Sequence, residues 1–452
     1  MTFKTRSPSK SRAWVVTSTA LCALLAVNEM ALAAGADLSV PEFSGAATPE
    51  AGWSYGKPRG DFYKFKGDKP LFSITAANVD SYADKLSPGE VALVKTKPDY
   101  RMDVYPSRRD CSLPDWVQAN TKQNKTQAKL DATGNYLEEA VLPGIPFPEP
   151  KTGAEVMWNY QVRYRGVGID YPSTSTATSP RPGSTDWIEA NGPQWSFYAW
   201  GAKGQSSPKA AGGLLYANYF GYNQPAALAG QGVVNRYYFK EAGEVYYYFH
   251  GQRRVRRMPS YQYDAPQIGF ENNYTTDEPY LFNGPIDRFD WKLVGKKEVL
   301  VPYHSFEIYN FQRKFHDVVQ DKYVNADARR YELHRVWVVE GTVKADARHV
   351  AAKKIIYFDE DSFLAMLGED YDAQGHLWKV REGYSIPVWE LGGGTCDVEG
   401  FAQYDLLNGR YVFDQASVGQ PKDMKWLPES TGDSRFSDGY YTSETLRAIS
   451  ER

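Results

Sequence analysis

The residues best suited by type and spacing to do chemistry are Glu332, His334 and Glu340, with His349 following. Two positions apart on a strand, Glu332 and His334 share a face, so the carboxylate could orient the imidazole for proton transfer. A metal site needs three or four converging N, O or S donors. The sequence has neither HExxH nor paired cysteines, so a structural histidine held by its neighbours is the preferred reading. Asp359-Glu360-Asp361 lacks the glycine and terminal glutamate of a calcium loop and reads as a hairpin turn. Gly392-Gly393-Gly394-Thr395 has no phosphate-loop lysine, and no Gly-x-Ser-x-Gly elbow is present. Pairs of Asp and Glu are the raw material of glycosidases, but nothing here positions two of them. No catalytic residue, metal or cofactor is assigned, and the chain is not read as an enzyme.

A second set is cationic. Arg253, Arg254, Arg256 and Arg257 follow a turn after the aromatic run 244–250. Guanidinium groups pair bidentately with phosphate and carboxylate, so this cluster suits an anionic headgroup or an acidic partner. The competing reading, favoured for a surface charge run, is ion pairing with Asp287, Asp290 or Glu298. In the preceding run Val245, Tyr247 and Phe249 face one way, and Tyr246, Tyr248 and His250 the other. Both faces are amphipathic, which suits a wet or lipid-lined surface better than a dry core. Trp158, Tyr160, Tyr216, Tyr219, Tyr247, Phe249, Trp337 and Trp378 are candidate lining for a hydrophobic cavity. The alternative is an ordinary aromatic core between sheet and helices.

The N-terminus bears on the compartment. Lys4, Arg6, Lys10 and Arg12 precede an apolar stretch over 13–27, and Ala31-Leu32-Ala33 fits signal-peptide cleavage. The apolar stretch is shorter than the roughly 20 residues of a membrane helix. Leu21 before Cys22 argues against lipidation, so a soluble, exported chain beginning near Ala34 is expected. That leaves Cys111 and Cys396, for which one disulfide is expected in an oxidising compartment; two separate buried thiols are the alternative. The formal charge of the 452 residues is −3, and the signal carries four Lys/Arg and one Glu, leaving about −6. That balance does not favour nucleic acid. Aromatics at 15%, led by 33 Tyr, together with 38 Gly and 27 Pro point to a β-rich extracytoplasmic protein.

Positioning elements follow from periodicity. Helices are expected over 73–86, 90–95, 112–130 and 443–450, with Ser87-Pro88-Gly89-Glu90 as a capping box. Strands are expected over 156–164, 195–200, 214–221, 235–239, 244–250, 252–258, 291–303, 331–341, 349–358, 362–370, 376–385 and 400–413. Residues 173–182, rich in Ser, Thr, Pro and Gly, read as a loop, and 372–375 as a hairpin turn. The organisation is a signal (1–33), an N-terminal lead-in and helical region (34–141), a main antiparallel sheet (142–415) and a tail (416–452). Residues 34–452 are taken as one integrated α+β domain, a large curved antiparallel sheet with helices covering its concave face.

Four motifs in order resemble one family: Leu142-Pro-Gly-Ile-Pro-Phe-Pro-Glu-Pro-Lys-Thr-Gly-Ala-Glu-Val-Met-Trp-Asn; Arg253-Arg-Val-Arg-Arg-Met-Pro with Tyr263-Asp; Phe282-Asn-Gly-Pro-Ile-Asp-Arg-Phe-Asp-Trp-Lys-Leu-Val-Gly-Lys-Lys-Glu; and Tyr331-Glu-Leu-His-Arg-Val-Trp-Val-Val-Glu. The family is domain of unknown function 1329, exported Gram-negative proteins similar to outer-membrane lipoprotein-sorting carriers. The resemblance spans about 73–414 and implies a half-barrel like that of LolA, LolB and LppX. It further implies periplasmic binding and transfer of a hydrophobic or lipid-like ligand, alongside a resistance-nodulation-division transporter and an outer-membrane protein. The family offers no catalytic residues to carry over. Segments 173–205 and 264–285 exceed the small carriers and could restrict or replace the cavity. A filled-core periplasmic adaptor is the alternative, and a secreted hydrolase a more remote one.

Overall fold

β-Branched and aromatic runs separated by Gly, Asn and Asp dictate a strand-rich chain. The computed structural model has that character over residues 38–451, the residues it describes; the expected export signal lies outside them. In chain order the elements are β1 (Phe72–Ile74), a 3-10 segment (Val79–Lys85), α1 (Pro88–Thr96), β2 (Met102–Val104), α2 (Asp115–Gln127), β3 (Lys129–Leu130), β4 (Leu137–Glu139) and α3 (Gly153–Gln161). Then come β5 (Gly168–Thr178), β6 (Ile188–Phe197), β7 (Leu214–Gly221), β8 (Gly232–Tyr238), β9 (Glu244–Phe249), β10 (Arg254–Arg257) and β11 (Phe289–Pro302). After α4 (Phe315–Val318) follow β12 (Tyr331–Val343), β13 (Lys353–Asp359), β14 (Ala365–Tyr371), β15 (Leu377–Pro387), β16 (Cys396–Asp405), β17 (Tyr411–Ala416), β18 (Lys425–Leu427) and α5 (Ser443–Ser450).

Sixteen of these strands form one open sheet in the order β1-β2-β12-β13-β14-β15-β16-β17-β5-β6-β7-β8-β9-β10, with β11 added to β12 and β18 to β5. The pairings are antiparallel except for a single parallel contact between Tyr331 and Val104. β11 also reaches β14 and β15, so the sheet curls strongly without closing. The two halves of the chain meet where β17 pairs with β5 (Val412 opposite Thr178).

Helices cover the sheet, and a long irregular strap, residues 259–288, shares the task. Gly89 at the start of α1 lies so close to β15 that a Cβ there would sit 2.8 Å from Val380. Ser87 and Glu90 cap this helix reciprocally (3.1 and 2.8 Å), as the sequence led us to expect. α3 packs on β11 and β12, and α5 on β8, β9 and β10. Because cover lies on both sides, all of β16 and nearly all of β15 are buried.

Several expectations are corrected. Residues 156–164 are mostly helix, because Thr152 accepts the Glu155 amide (3.2 Å) and starts α3 there. Residues 173–178 belong to β5 rather than a loop, since their Thr-rich alternation pairs with β6. Residues 73–86 divide into β1 and a 3-10 segment. Residues 400–413 are two strands with a turn between them. Nor is β9 a wet surface: Tyr248 packs with Trp195, Tyr219 and Leu446 on one face, while Val245 and Tyr247 pack with Val233 and Tyr261 on the other.

Candidate functional site

Glu332 and His334 do converge, and a residue with no local signal completes their cluster. His304 bonds Glu332 through Nδ1 and Asp110 through Nε2, both at 2.9 Å. His334 lies 3.6 Å from Glu332 and 3.5 Å from Asp359, ion-pair rather than hydrogen-bond distances, and stacks on Tyr303 at 3.8 Å. Burial opposes the imidazolium, but Asp359 and Glu332 outweigh it and push His334 up to about 9. Burial likewise opposes the Glu332 carboxylate, yet His304 and Arg330 hold it well below the usual range. Both histidines and all three carboxylates, Asp110, Glu332 and Asp359, are sealed from solvent, so this is a structural clasp between β11, β12, β13 and the N-terminal segment. Glu340 stands apart from it, and His349 bonds Asp277 instead (2.9 Å). Among the described residues no three His, Cys, Asp or Glu side chains are arranged to hold a metal ion.

The clasp sets a pH limb. A raised folded-state pKa gives stability that is complete below the unfolded value of 6.5 and lost as pH rises toward about 9. We expect wild-type stability to fall by roughly 3 kcal/mol over that interval. His334→Gln should flatten the limb; urea unfolding at stepped pH checks this, and an unchanged slope in the variant refutes it.

A second buried assembly fills one face of the β13–β16 region. Cross-strand register aligns Lys354 with Asp370 and Lys379, and Arg381 with Gln403. The strap adds Asp277, 3.2 Å from Lys354, and Glu278, 2.6 Å from Lys379. Three cations thus meet three carboxylates, all nearly solvent-free. Asp277 and Glu278 of the strap therefore pair with the sheet and not with the arginine strand.

The hollow that remains lies over β5–β8, beneath the same strap. It is a slot of about 70 Å³ whose sheet side presents Thr174, Thr176, Gln194, Tyr216, Asn218 and Asn235. The strap contributes Tyr280 and Asn283, and β17 contributes Asp414 and Gln415. Tyr216 and Tyr237 stack at 4.5 Å, and the Tyr216 hydroxyl donates to Asn283 Oδ1. Asp414 accepts from the Thr176 hydroxyl, the Tyr274 hydroxyl (2.5 Å) and the Gln415 amide (2.8 Å). Burial without a cationic partner pushes its carboxyl up to about 6. Gln415 (φ 61°) and Tyr280 (φ 57°) are left-handed, a strained backbone for such residues that gathers at functional sites. Two further hollows continue from the slot. One of about 140 Å³, lined by Trp158 and Phe239, shares Tyr237 with it. The next, about 190 Å³, shares Tyr238, Phe239, Lys240 and Glu241 with the second.

Of the eight aromatics expected to line a cavity, Tyr216 and Trp158 line adjoining hollows, and the rest are scattered. Tyr219 points to the opposite face and stacks on Trp195 at 4.3 Å. Tyr247 and Phe249 belong to the small core with Val233 and Val245. The Tyr160 hydroxyl donates to the backbone of Tyr280 and Phe282 (2.6 and 2.9 Å). Trp337 lies under the Lys296 ammonium, and Trp378 donates to Asp405. Arg253, Arg254, Arg256 and Arg257 stay exposed at the sheet edge. Arg257 pairs with Glu244 at 3.2 Å and Arg256 donates to Gln252; their expected partners Asp287 and Glu298 bind Tyr263 and Lys85 instead. Cys111 and Cys396 are bridged.

The chain is thus an open, curled antiparallel sheet with a polar slot beneath a strap. The chain belongs to the family described as Protein of unknown function (DUF1329), which matches residues 73–447. An uncharacterized protein of Pseudomonas aeruginosa is 36% identical over 420 residues, covering 92% of this chain and 89% of that one. Among solved structures, a putative outer membrane lipoprotein-sorting protein domain from Vibrio parahaemolyticus aligns at 15% identity and TM-score 0.43, over 65% of this chain and 98% of that one. A DUF1329 family protein from Desulfovibrio piger aligns at 13% identity and TM-score 0.39, over 61% and 92%. A LolA superfamily protein from Nitrosomonas europaea aligns at 11% and 0.36, over 64% and 100%.

Proposed function

We propose that this protein is a non-catalytic periplasmic carrier that binds an amphipathic, lipid-like ligand and passes it on within an envelope transport route. The reading extends to a resistance-nodulation-division transporter and an outer-membrane protein as partners. The observation that carries it is a set of three neighbouring hollows that share lining residues, Tyr237 between the first two and Phe239 between the last two, with aromatic and polar side chains in each. Such a track takes an apolar tail along its aromatic wall at about 0.8 kcal/mol per methylene removed from water. Each hollow alone falls short of the roughly 300–1,000 Å³ of an ordinary ligand pocket, so a ligand spanning them requires the strap to move outward. The disulfide suits an oxidising compartment, and no described helix is long and apolar enough to cross a membrane.

Native mass spectrometry of the protein purified from a Gram-negative periplasm tests this. A non-covalent lipid adduct is expected, diminished in Trp158→Ala. Bare protein that also takes up no lipid after incubation with vesicles overturns the reading. A second reading, a filled-core adaptor, is favoured by the ionic assembly that occupies the β13–β16 face. On that reading no lipid is found, and capture of an envelope partner is lost with Arg254→Glu and Arg256→Glu together.

A further inference from the structure

We propose that the slot over β5–β8 selects the head of the ligand, and that this head is uncharged and hydroxyl-rich, a sugar-like group on an apolar tail. The inference rests on the carrier reading and adds to it the ligand's chemical class.

Charge argues first. No lysine, arginine or histidine lines the slot, and its one ionisable group in the carboxylate range is Asp414, buried without a salt-bridge partner. A phosphate or carboxylate head placed there would lose its hydration with no cation to replace it and would face Asp414 across a low-dielectric gap. The buried arginines nearest in sequence to β5, Arg163 and Arg165, are already committed to Asp397, Arg165 also to Glu399.

Hydrogen-bonding capacity argues second. Gln194, Asn218, Asn235, Asn283 and Gln415 bring amides to one small space. Gln194 donates to Gln415 and Asn235 to Asn218 (both 3.0 Å), and because an amide carries two donors and two acceptor lone pairs, each keeps capacity beyond that pairing. A vicinal diol asks for donor and acceptor together, since each hydroxyl both donates and accepts. The Thr174 hydroxyl, on the slot wall, is buried with no partner. A buried polar group left unpaired costs about 1–3 kcal/mol, and a ligand hydroxyl would relieve it. Shape argues third: the stacked Tyr216–Tyr237 pair presents an aromatic face, a flat apolar surface for the C–H side of a sugar ring. Tyr237 also borders the second hollow, so a tail attached to a head in the slot would leave along Phe239 and Trp158.

Isothermal titration of the full-length protein with four octyl amphiphiles below their micellar concentrations tests the assignment: octyl glucoside, octyl phosphate, octanoate and octyltrimethylammonium. Octyl glucoside should bind at least about tenfold more tightly than either anion, and Asn218→Leu should remove that margin by leaving slot groups unpaired. Gln194→Leu serves as a second variant should Asn218→Leu not fold, judged by its melting midpoint. Methyl glucoside, lacking the tail, should bind far more weakly; equal affinity overturns the amphiphile. Octyl phosphate or octanoate binding as well as octyl glucoside, octyltrimethylammonium binding better than it, or variants that leave the preference intact, overturn the head assignment while the carrier reading stands. If none of the four binds, both fall.

Discussion

Asp370→Ala is expected to cost about 3–5 kcal/mol of folding stability, because it strips a buried pair of one partner. Asp370 holds Arg381 bidentately (2.5 and 2.9 Å) and also accepts from Lys354 (3.1 Å). Burial pushes its carboxyl up, but Arg381 and Lys354 outweigh that and hold it well below the usual range. Without it, Lys354, Lys379 and Arg381 face only Asp277 and Glu278, leaving one uncompensated cation in a space sealed from water. Urea unfolding at neutral pH measures the loss; a change below about 1 kcal/mol would mean that water or a relaxed side chain already screens the assembly. The exposed Asp290 offers a control, and Asp290→Ala should stay within about 0.5 kcal/mol. Depressed carboxylates contribute stability that is present above their unfolded pKa and lost on acidification. Asp277 behaves alike, its burial offset by Lys354 and His349, so the strap should loosen first in acid.

The assembly also explains what was legible in the sequence. Ser87 and Glu90 announce α1 because a capping box is written within four residues. α3 carries a comparable signal, Thr152 three residues before Glu155, but its last four residues, Trp158-Asn-Tyr-Gln161, alternate aromatic and polar side chains. Over so short a span a period of 3.6 and a period of 2 are hard to tell apart. β5 was masked by composition: Thr174, Thr176 and Thr178 alternate as a strand should, within a stretch whose Ser and Pro suggest a loop. The charges on β13–β16 carry no local mark of burial, since a single sequence does not reveal that a strap returns to bury and neutralise them. The strap's Asp277 and Glu278 were visible as an acidic excursion, and their partners lie about a hundred residues further on, beyond any local rule.

The slot was the least legible part. Its walls come from β5–β8, from the strap and from β17, and they meet because β17 pairs with β5 across more than two hundred residues of chain. Asparagine and glutamine carry no spacing signature for binding, so Asn218, Asn235 and Gln194 gave no cue until register set Asn218 opposite Asn235. His304 was missed differently. It sits in a left-handed corner after β11, and only the β11–β12 pairing, with Pro302 opposite Tyr331, brings it beside Glu332. Among the aromatics, alternation divides Tyr216 from Tyr219 across the sheet, one toward the slot and one into the core.

Removing the disulfide, by Cys111→Ala with Cys396→Ala, is expected to cost roughly 5–6 kcal/mol by chain entropy. The bridge spans 285 residues and ties the segment after β2 to the first residue of β16. It restrains the unfolded chain, so the folded architecture should persist without it. Ser112 N donates to Gly394 O (3.0 Å) and the Ser112 hydroxyl to Gly393 O, which keeps the two segments together independently of the sulfurs. Gly393 and Gly394 are left-handed at this joint, and a Cβ on Gly393 would meet the Pro114 backbone at 2.4 Å. The loss should therefore appear in the urea midpoint with a larger denaturant slope, since a longer free loop exposes more surface on unfolding. Reduction of the wild type should reproduce the double variant. A loss below about 2 kcal/mol, with the reduced protein unchanged, would mean that the clasp at His304 and the ionic assembly at Asp370 already order these segments in the unfolded ensemble. The two losses, from Asp370 and from the bridge, together approach the whole of the 5–15 kcal/mol that holds an ordinary domain folded.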